Sequence, residues 1–127
     1  MALRSYQDLI GWKKSIALVT EIYCCTQDFP RPEMYGLTSQ IRRAAISIPS
    51  NIAEGQGRRS RGEFKQFLGH ARGSVFELES QIIIARNLGY VDEDSAQALL
   101  SRITEVGRII NGLLSSLDRV TEASNQN

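Results

Sequence analysis

Apolar side chains recur along the chain at spacings of three and four, and clusters of Gly and Pro interrupt them. No strand-like alternation of useful length occurs, so the pattern predicts helices alone. The first helix is expected over 6–28, capped by Ser5 with Asp8 three residues on. Its apolar stripe is Leu9, Trp12, Ile16, Val19 and Tyr23, and Pro30 and Pro32 end it. The second, over 38–56, carries Ile41, Ala45, Ile48 and Ile52 on one side. Pro49 inside it predicts a kink or short break, because proline lacks an N–H and its ring crowds the preceding turn.

The third helix, over 61–88, has the clearest start, Ser60 followed at the right distance by Glu63. Phe64, Phe67, Leu68, Ala71, Val75, Leu78, Ile82 and Ala85 form its stripe, and Gly89 is the expected C-terminal cap. The fourth, over 93–121, begins behind Asp92, Glu93 and Asp94, which suit the positive end of a helix dipole. It carries Leu99, Ile103, Val106, Ile110, Leu113, Leu117 and Val120, and residues 124–127 are expected to fray. Long helices on short connections predict antiparallel neighbours, hence one up-down-up-down four-helix bundle over 1–127.

The third helix has a second face with no obvious use in such a bundle. Opposite its stripe lie Gly62, Gly69, Gly73, Phe76, Ser80, Ile83 and Ile84. Glycines inside a helix cost roughly 1 kcal/mol each against alanine, which close approach of another backbone would offset. That other helix belongs either to the same bundle or to a second subunit. The second option makes Gly69, Gly73, Phe76, Ser80, Ile83 and Ile84 an oligomer interface.

Composition narrows the function classes. The 127 residues carry 15 Lys+Arg against 14 Asp+Glu, a net charge of +1, so any nucleic-acid contact must come from a local patch. One exists: over 40–73, Arg42, Arg43, Arg58, Arg59, Arg61, Lys65 and Arg72 face only Glu54 and Glu63. Arg61, Lys65 and Arg72 share one side of the third helix. Gly55 and Gly57, a helix start and arginine forks suit phosphate oxygens. The alternative is a solvated face engaged in salt bridges inside the bundle. Arg43, Ser47, Ser50 and Glu54 form a polar stripe on the second helix, where Ser47 or Asn51 is expected to satisfy backbone groups freed by Pro49.

Catalytic chemistry is scarce. His70 is the only histidine and Phe67, not Glu, stands three residues before it, so the Glu-x-x-His pairs of di-iron bundles are absent. Cys24 and Cys25 are adjacent, which fits neither a disulfide framework nor zinc-ligand spacing. Burial of one or both is expected. No catalytic residue, metal or cofactor is therefore expected. The N-terminus lacks a signal-peptide run and no stretch approaches the roughly 18 apolar residues of a membrane span, which predicts a cytoplasmic protein without a membrane partner.

The run YGLTSQIRRAAISIPSNIAEGQGR, then FLGHARGSVFELESQ, with Tyr6, Leu9 and Trp12 before them, resembles the 23S rRNA intervening-sequence proteins, a bacterial four-helix-bundle family, from about Tyr6 to Leu117. The resemblance implies a four-helix bundle assembled as a homopentamer, with no established enzymatic activity. More distantly the chain is similar to the accessory proteins of diversity-generating retroelements, basic pentameric barrels that engage reverse transcriptase and nucleic acid. The matched positions include Arg42, Arg43, Ser47, Pro49, Asn51, Glu54, Gly55, Arg58, Arg72, Gly73, Ser74 and Glu77. Together these readings predict a non-enzymatic homo-oligomer that contacts RNA or DNA backbone through the basic patch. The alternative is a protein–protein adaptor in which Arg42, Arg43 and Arg72 are buried in ion pairs with Glu54 or Glu77.

Overall fold

In the computed structural model, which describes residues 6–125 and side chains from 8 to 119, the chain forms four helices and a short 3-10 turn. They are α1 (Tyr6–Thr26), the turn (Arg31–Glu33), α2 (Leu37–Gln56), α3 (Arg61–Asn87) and α4 (Glu93–Asn125). There is no strand among the described residues. The expected Ser5 cap, the Val120 side chain and the last two residues of the expected frayed tail lie outside the described residues, while 124 and 125 belong to α4.

Each helix packs on two others, α1 on α2, α2 on α3, α3 on α4 and α4 on α1, and no diagonal pair meets among the described residues. Cross-helix contacts run in opposite directions along each pair. Ser47 meets Ser74 while Gly55 meets Phe64 and Phe67, and Lys65 meets Asp118 while Arg86 meets Glu93. The bundle is therefore antiparallel throughout. Its core is Leu18 and Ile22 of α1 with Ile41, Ile48, Ile52, Phe64, Leu68, Leu78, Ile82, Ile103 and Ile110.

Local chemistry accounts for the boundaries. The Ser60 hydroxyl accepts from the Glu63 N–H at 3.1 Å and starts α3. Gly89, at φ 79°, ends it: its N–H donates to the Arg86 carbonyl and the Tyr90 N–H to that of Ala85, the paired bonds of a left-handed glycine cap. Asp92 starts α4 by accepting from the Ser95 N–H and hydroxyl, both at 2.8 Å. The Ser95 backbone bond holds the Asp92 carboxyl below its ordinary range. The Tyr90 hydroxyl donates to Glu33 at 2.9 Å, tying the 3-10 turn to the α3–α4 connection, and this bond raises the Tyr90 pKa.

α2 continues through Pro49 without a break. Proline leaves the Ala45 carbonyl without its helical donor, but neither expected side chain serves it. Asn51 donates to the Ser47 carbonyl at 2.7 Å, and the Ser47 hydroxyl bonds Ser74 of α3.

α1 departs most from its pattern. The face it buries is Asp8, Gly11, Ser15, Leu18, Ile22 and Thr26, whereas Ile16 is 41% and Tyr23 36% exposed, and Leu9, Trp12 and Val19 are half-buried. Ser15 and Thr26 bury cheaply because their hydroxyls bond their own helix, Ser15 to the Trp12 carbonyl at 2.8 Å and Thr26 to that of Ile22 at 2.8 Å. Gly11 lets α4 close in, since an added Cβ would lie 3.1 Å from the Ile109 side chain. A larger apolar stripe thereby remains outside the core.

Candidate nucleic-acid and subunit interface

The seven basic residues over 42–72 do not gather in one place. Arg42 is half-buried, donates to Thr26 at 2.9 Å and stacks over the Tyr23 ring at 4.4 Å, so it fastens α2 to α1. Lys65 pairs with Asp118 of α4 at 2.5 Å. Arg58 lies over the Phe67 ring at 4.8 Å. Arg59 and Arg61 are exposed beside it at the α2–α3 turn, with no hydrogen bond or ion pair among the described residues. Arg43 and Arg72 are also exposed and unpaired in that sense, but Arg43 stands about 20 Å up the bundle from the turn at 1.5 Å per residue.

The ion pairs expected under the adaptor alternative do not form. Arg43 and Arg72 are at the surface, Glu54 and Glu77 are exposed, and Glu77 accepts instead from Gln81 at 3.2 Å. The basic cluster accessible to a ligand is thus Arg58, Arg59 and Arg61 on the turn that starts α3.

The second face of α3 points away from the core. An added Cβ at Gly62, Gly69 or Gly73 would meet nothing within 4 Å among the described residues, so none of these glycines makes room for a described part of its own bundle. Phe76 is 58% and Ile84 48% exposed, Ser80 is exposed and Ile83 half-buried. Gly69 and Gly73, with Gln66, His70, Ser74 and Glu77, line a shallow trough along this side of α3. A second trough, between α2 and α3, is lined by Gln40, Arg43, Ala44, Ser47 and Glu77. Several residues of the SIPSN and ARGS runs, far apart in sequence, converge here through the Ser47–Ser74 bond.

Sequence reasoning missed a third surface. Because α1 buries its small and polar face, Trp12, Ile16 and Val19 form an open apolar groove with Ile46, Pro49 and Ala53 of α2, and Ser50 at its margin. The signal available in the sequence was the 8, 11, 15, 18, 22, 26 spacing of small and apolar residues, which competes with the bulkier stripe one position on.

Chemistry beyond contact has little to work with. No group of three or more His, Cys, Asp or Glu side chains is placed to hold a metal among the described residues. The Ser47 and Ser74 hydroxyls bond each other, and the exposed His70 ring approaches Phe67 at 6.2 Å between centroids. Cys24 is exposed and Cys25 half-buried, so neither is fully buried as the sequence led one to expect. Burial, then the charges of Asp92 and Asp28, raise the Cys25 pKa and make its thiol a poor nucleophile. No helix among the described residues is long and apolar enough to cross a membrane.

The sequence model of a family described as 23S rRNA-intervening sequence protein matches residues 7–112. A crystal structure from Bacteroides thetaiotaomicron VPI-5482, described as a protein with unknown function from the S23 ribosomal protein family, is similar with a TM-score of 0.80. The likeness covers 86% of this chain and 98% of that one at 20% sequence identity, and so speaks to the fold alone. No curated protein matches the chain.

Proposed function

The chain belongs to the 23S rRNA-intervening sequence protein family, and on that premise we propose that it is a non-enzymatic, self-assembling protein that contacts RNA or DNA backbone. The observation that carries the nucleic-acid part is the α2–α3 turn, where Arg59 and Arg61 are exposed without a partner among the described residues and Arg58 projects beside them. Guanidinium groups of this kind neutralise phosphate without reading bases. Assembly multiplies the effect, because each added copy brings another such turn and phosphate contacts add. Five copies is the number that the family resemblance implies, and a nucleic-acid partner places the working compartment in the cytoplasm. The α3 residues Gly69, Gly73, Phe76, Ser80, Ile83 and Ile84 are the proposed subunit face, supported by the open space over the glycines.

The reading is tested by fluorescence anisotropy with labelled single-stranded and duplex RNA and DNA across a salt series. Binding should weaken steeply with salt and show little sequence preference. Replacing Arg58 and Arg59 by alanine should lower the log–log salt slope by about 1 for each lost phosphate contact. The adaptor reading draws support from Arg42 and Lys65, which are engaged within the bundle. An oligomer indifferent to every nucleic acid would establish it over the first.

A further inference from the structure

The α1–α2 groove is lined by Trp12, Ile16, Val19, Ile46, Pro49 and Ala53, and two of its side chains stand well out of it: Ile16 is 41% and Ile46 42% exposed. Nothing among the described residues covers them. We propose that this groove seats the α3 outer face of a second copy of the chain, with Ile16 and Ile46 entering the lane left open by Gly69 and Gly73 and Phe76 closing one end. The inference rests on the self-assembly reading above and supplies the other half of that interface.

Register along the bundle favours this pairing. Ser47 of α2 stands level with Ser74 of α3, and the two helices run in opposite directions. The α2 wall of the groove, residues 46–53, is therefore level with about residues 68–75 of α3. Two copies side by side, with bundle axes parallel, bring the groove of one opposite Gly69 and Gly73 of the other without axial slip. Phe76 falls at the level of Ile46, at one end of the groove. Large apolar side chains thus meet a strip of bare backbone at the same height, which is the condition for two helical surfaces to close together.

The second copy is also the occupant that leaves least apolar surface in water. Groove against groove would set Ile16 and Ile46 against their own counterparts and leave Phe76 and Ile84, 58% and 48% exposed, uncovered. The α3 face against its own counterpart would leave the groove empty. A head-to-tail contact covers both faces in every copy, and repeated by rotation it closes a ring. It also gives a use to Gly69 and Gly73, which weaken α3 relative to alanine and relieve no contact inside the bundle.

Such an interface has a signature that a symmetric one lacks. Ile46→Glu spoils only the groove and Gly73→Glu only the lane. Both sites are exposed, and an added side chain at Gly73 meets nothing among the described residues, so both variants should keep wild-type helicity and unfold cooperatively. Each alone should be monomeric by light scattering. Mixed in equal amounts, they should form a species of twice the chain's mass and no larger, because each retains the face that the other lacks. Gly69→Leu is an independent probe of the lane and should also complement Ile46→Glu.

A wild-type protein that scatters as a monomer would overturn the self-assembly reading and this pairing with it. A wild-type oligomer unchanged by Gly73→Glu and Gly69→Leu, or a variant mixture that stays monomeric, would overturn this pairing alone.

Discussion

Between α2 and α3 the backbones approach until a Cβ added at Gly55 would lie 3.0 Å from that of Phe67, and the Ser47 and Ser74 hydroxyls bond across the pair. Between α1 and α4 a gap of about 300 Å³ remains, lined by Ala17, Leu18 and Val106 and bridged at its edges by Lys14 with Glu105 and Glu21 with Arg102. One pair is packed closely along its length; the other closes at Gly11 against Ile109 but opens beside Leu18, where exposed charges bridge it. Close packing responds to single methyl groups and ignores salt, while exposed ion pairs contribute little and fade with ionic strength. The α2–α3 hairpin is accordingly the rigid half that presents the basic turn and the α3 face.

That contrast breaks most decisively in the packed half. Leu68→Ala, which empties a fully buried site on α3, should cost about 2–5 kcal/mol in urea denaturation. Gly55→Ala should cost roughly 1–3 kcal/mol despite alanine's better helix propensity, because the new methyl must displace Phe67 or Phe64. As its counterpart, Gly112→Ala in α4, where an added Cβ meets nothing, should gain up to about 1 kcal/mol. Opposite signs for one substitution type would show that close approach, and not glycine itself, is what the α2–α3 pair needs.

The open half should yield smaller effects. Lys14→Ala and Arg102→Ala leave partners that are substantially exposed, so each should cost about 0–1 kcal/mol, and the loss should disappear in 1 M salt. The smallest effect is a pH dependence at the α4 start. The Asp92 carboxyl is held below its ordinary range in the folded chain by the Ser95 N–H, so its contribution is present above the unfolded carboxyl's pKa and lost as pH falls through the folded one. Asp92→Asn should flatten that part of the acid limb in pH-dependent melting curves.

Much of the architecture is legible in the sequence, for reasons that differ from helix to helix. The stripes of α2, α3 and α4 are legible because each is an unbroken series of apolar residues at spacings of three and four, whereas glycines and polar residues interrupt the faces that carry Ile46, Phe76 and Ile84, and the Ser60, Gly89 and Asp92 signals each have a matching bond. α1 offers two competing stripes, and the smaller one is buried because Ser15 and Thr26 satisfy their hydroxyls within the helix and Gly11 admits α4. No local rule ranks those terms. The groove was invisible for the same reason, since it exists only once α1 turns its larger stripe outward. The basic patch was legible as a local excess of charge, but its division into the Arg42 fastening, the Lys65 ion pair and the exposed turn required the positions of Thr26, Tyr23 and Asp118 on other helices.

Self-association is the claim on which the functional account depends, and the mass of the wild-type chain in solution tests it most directly. Light scattering coupled to size exclusion across the micromolar range should give an integral multiple of 14.2 kDa that persists on dilution. A constant 14.2 kDa at every concentration would contradict it, leaving Phe76, Ile84, Ile16 and Ile46 in water with no second copy to cover them.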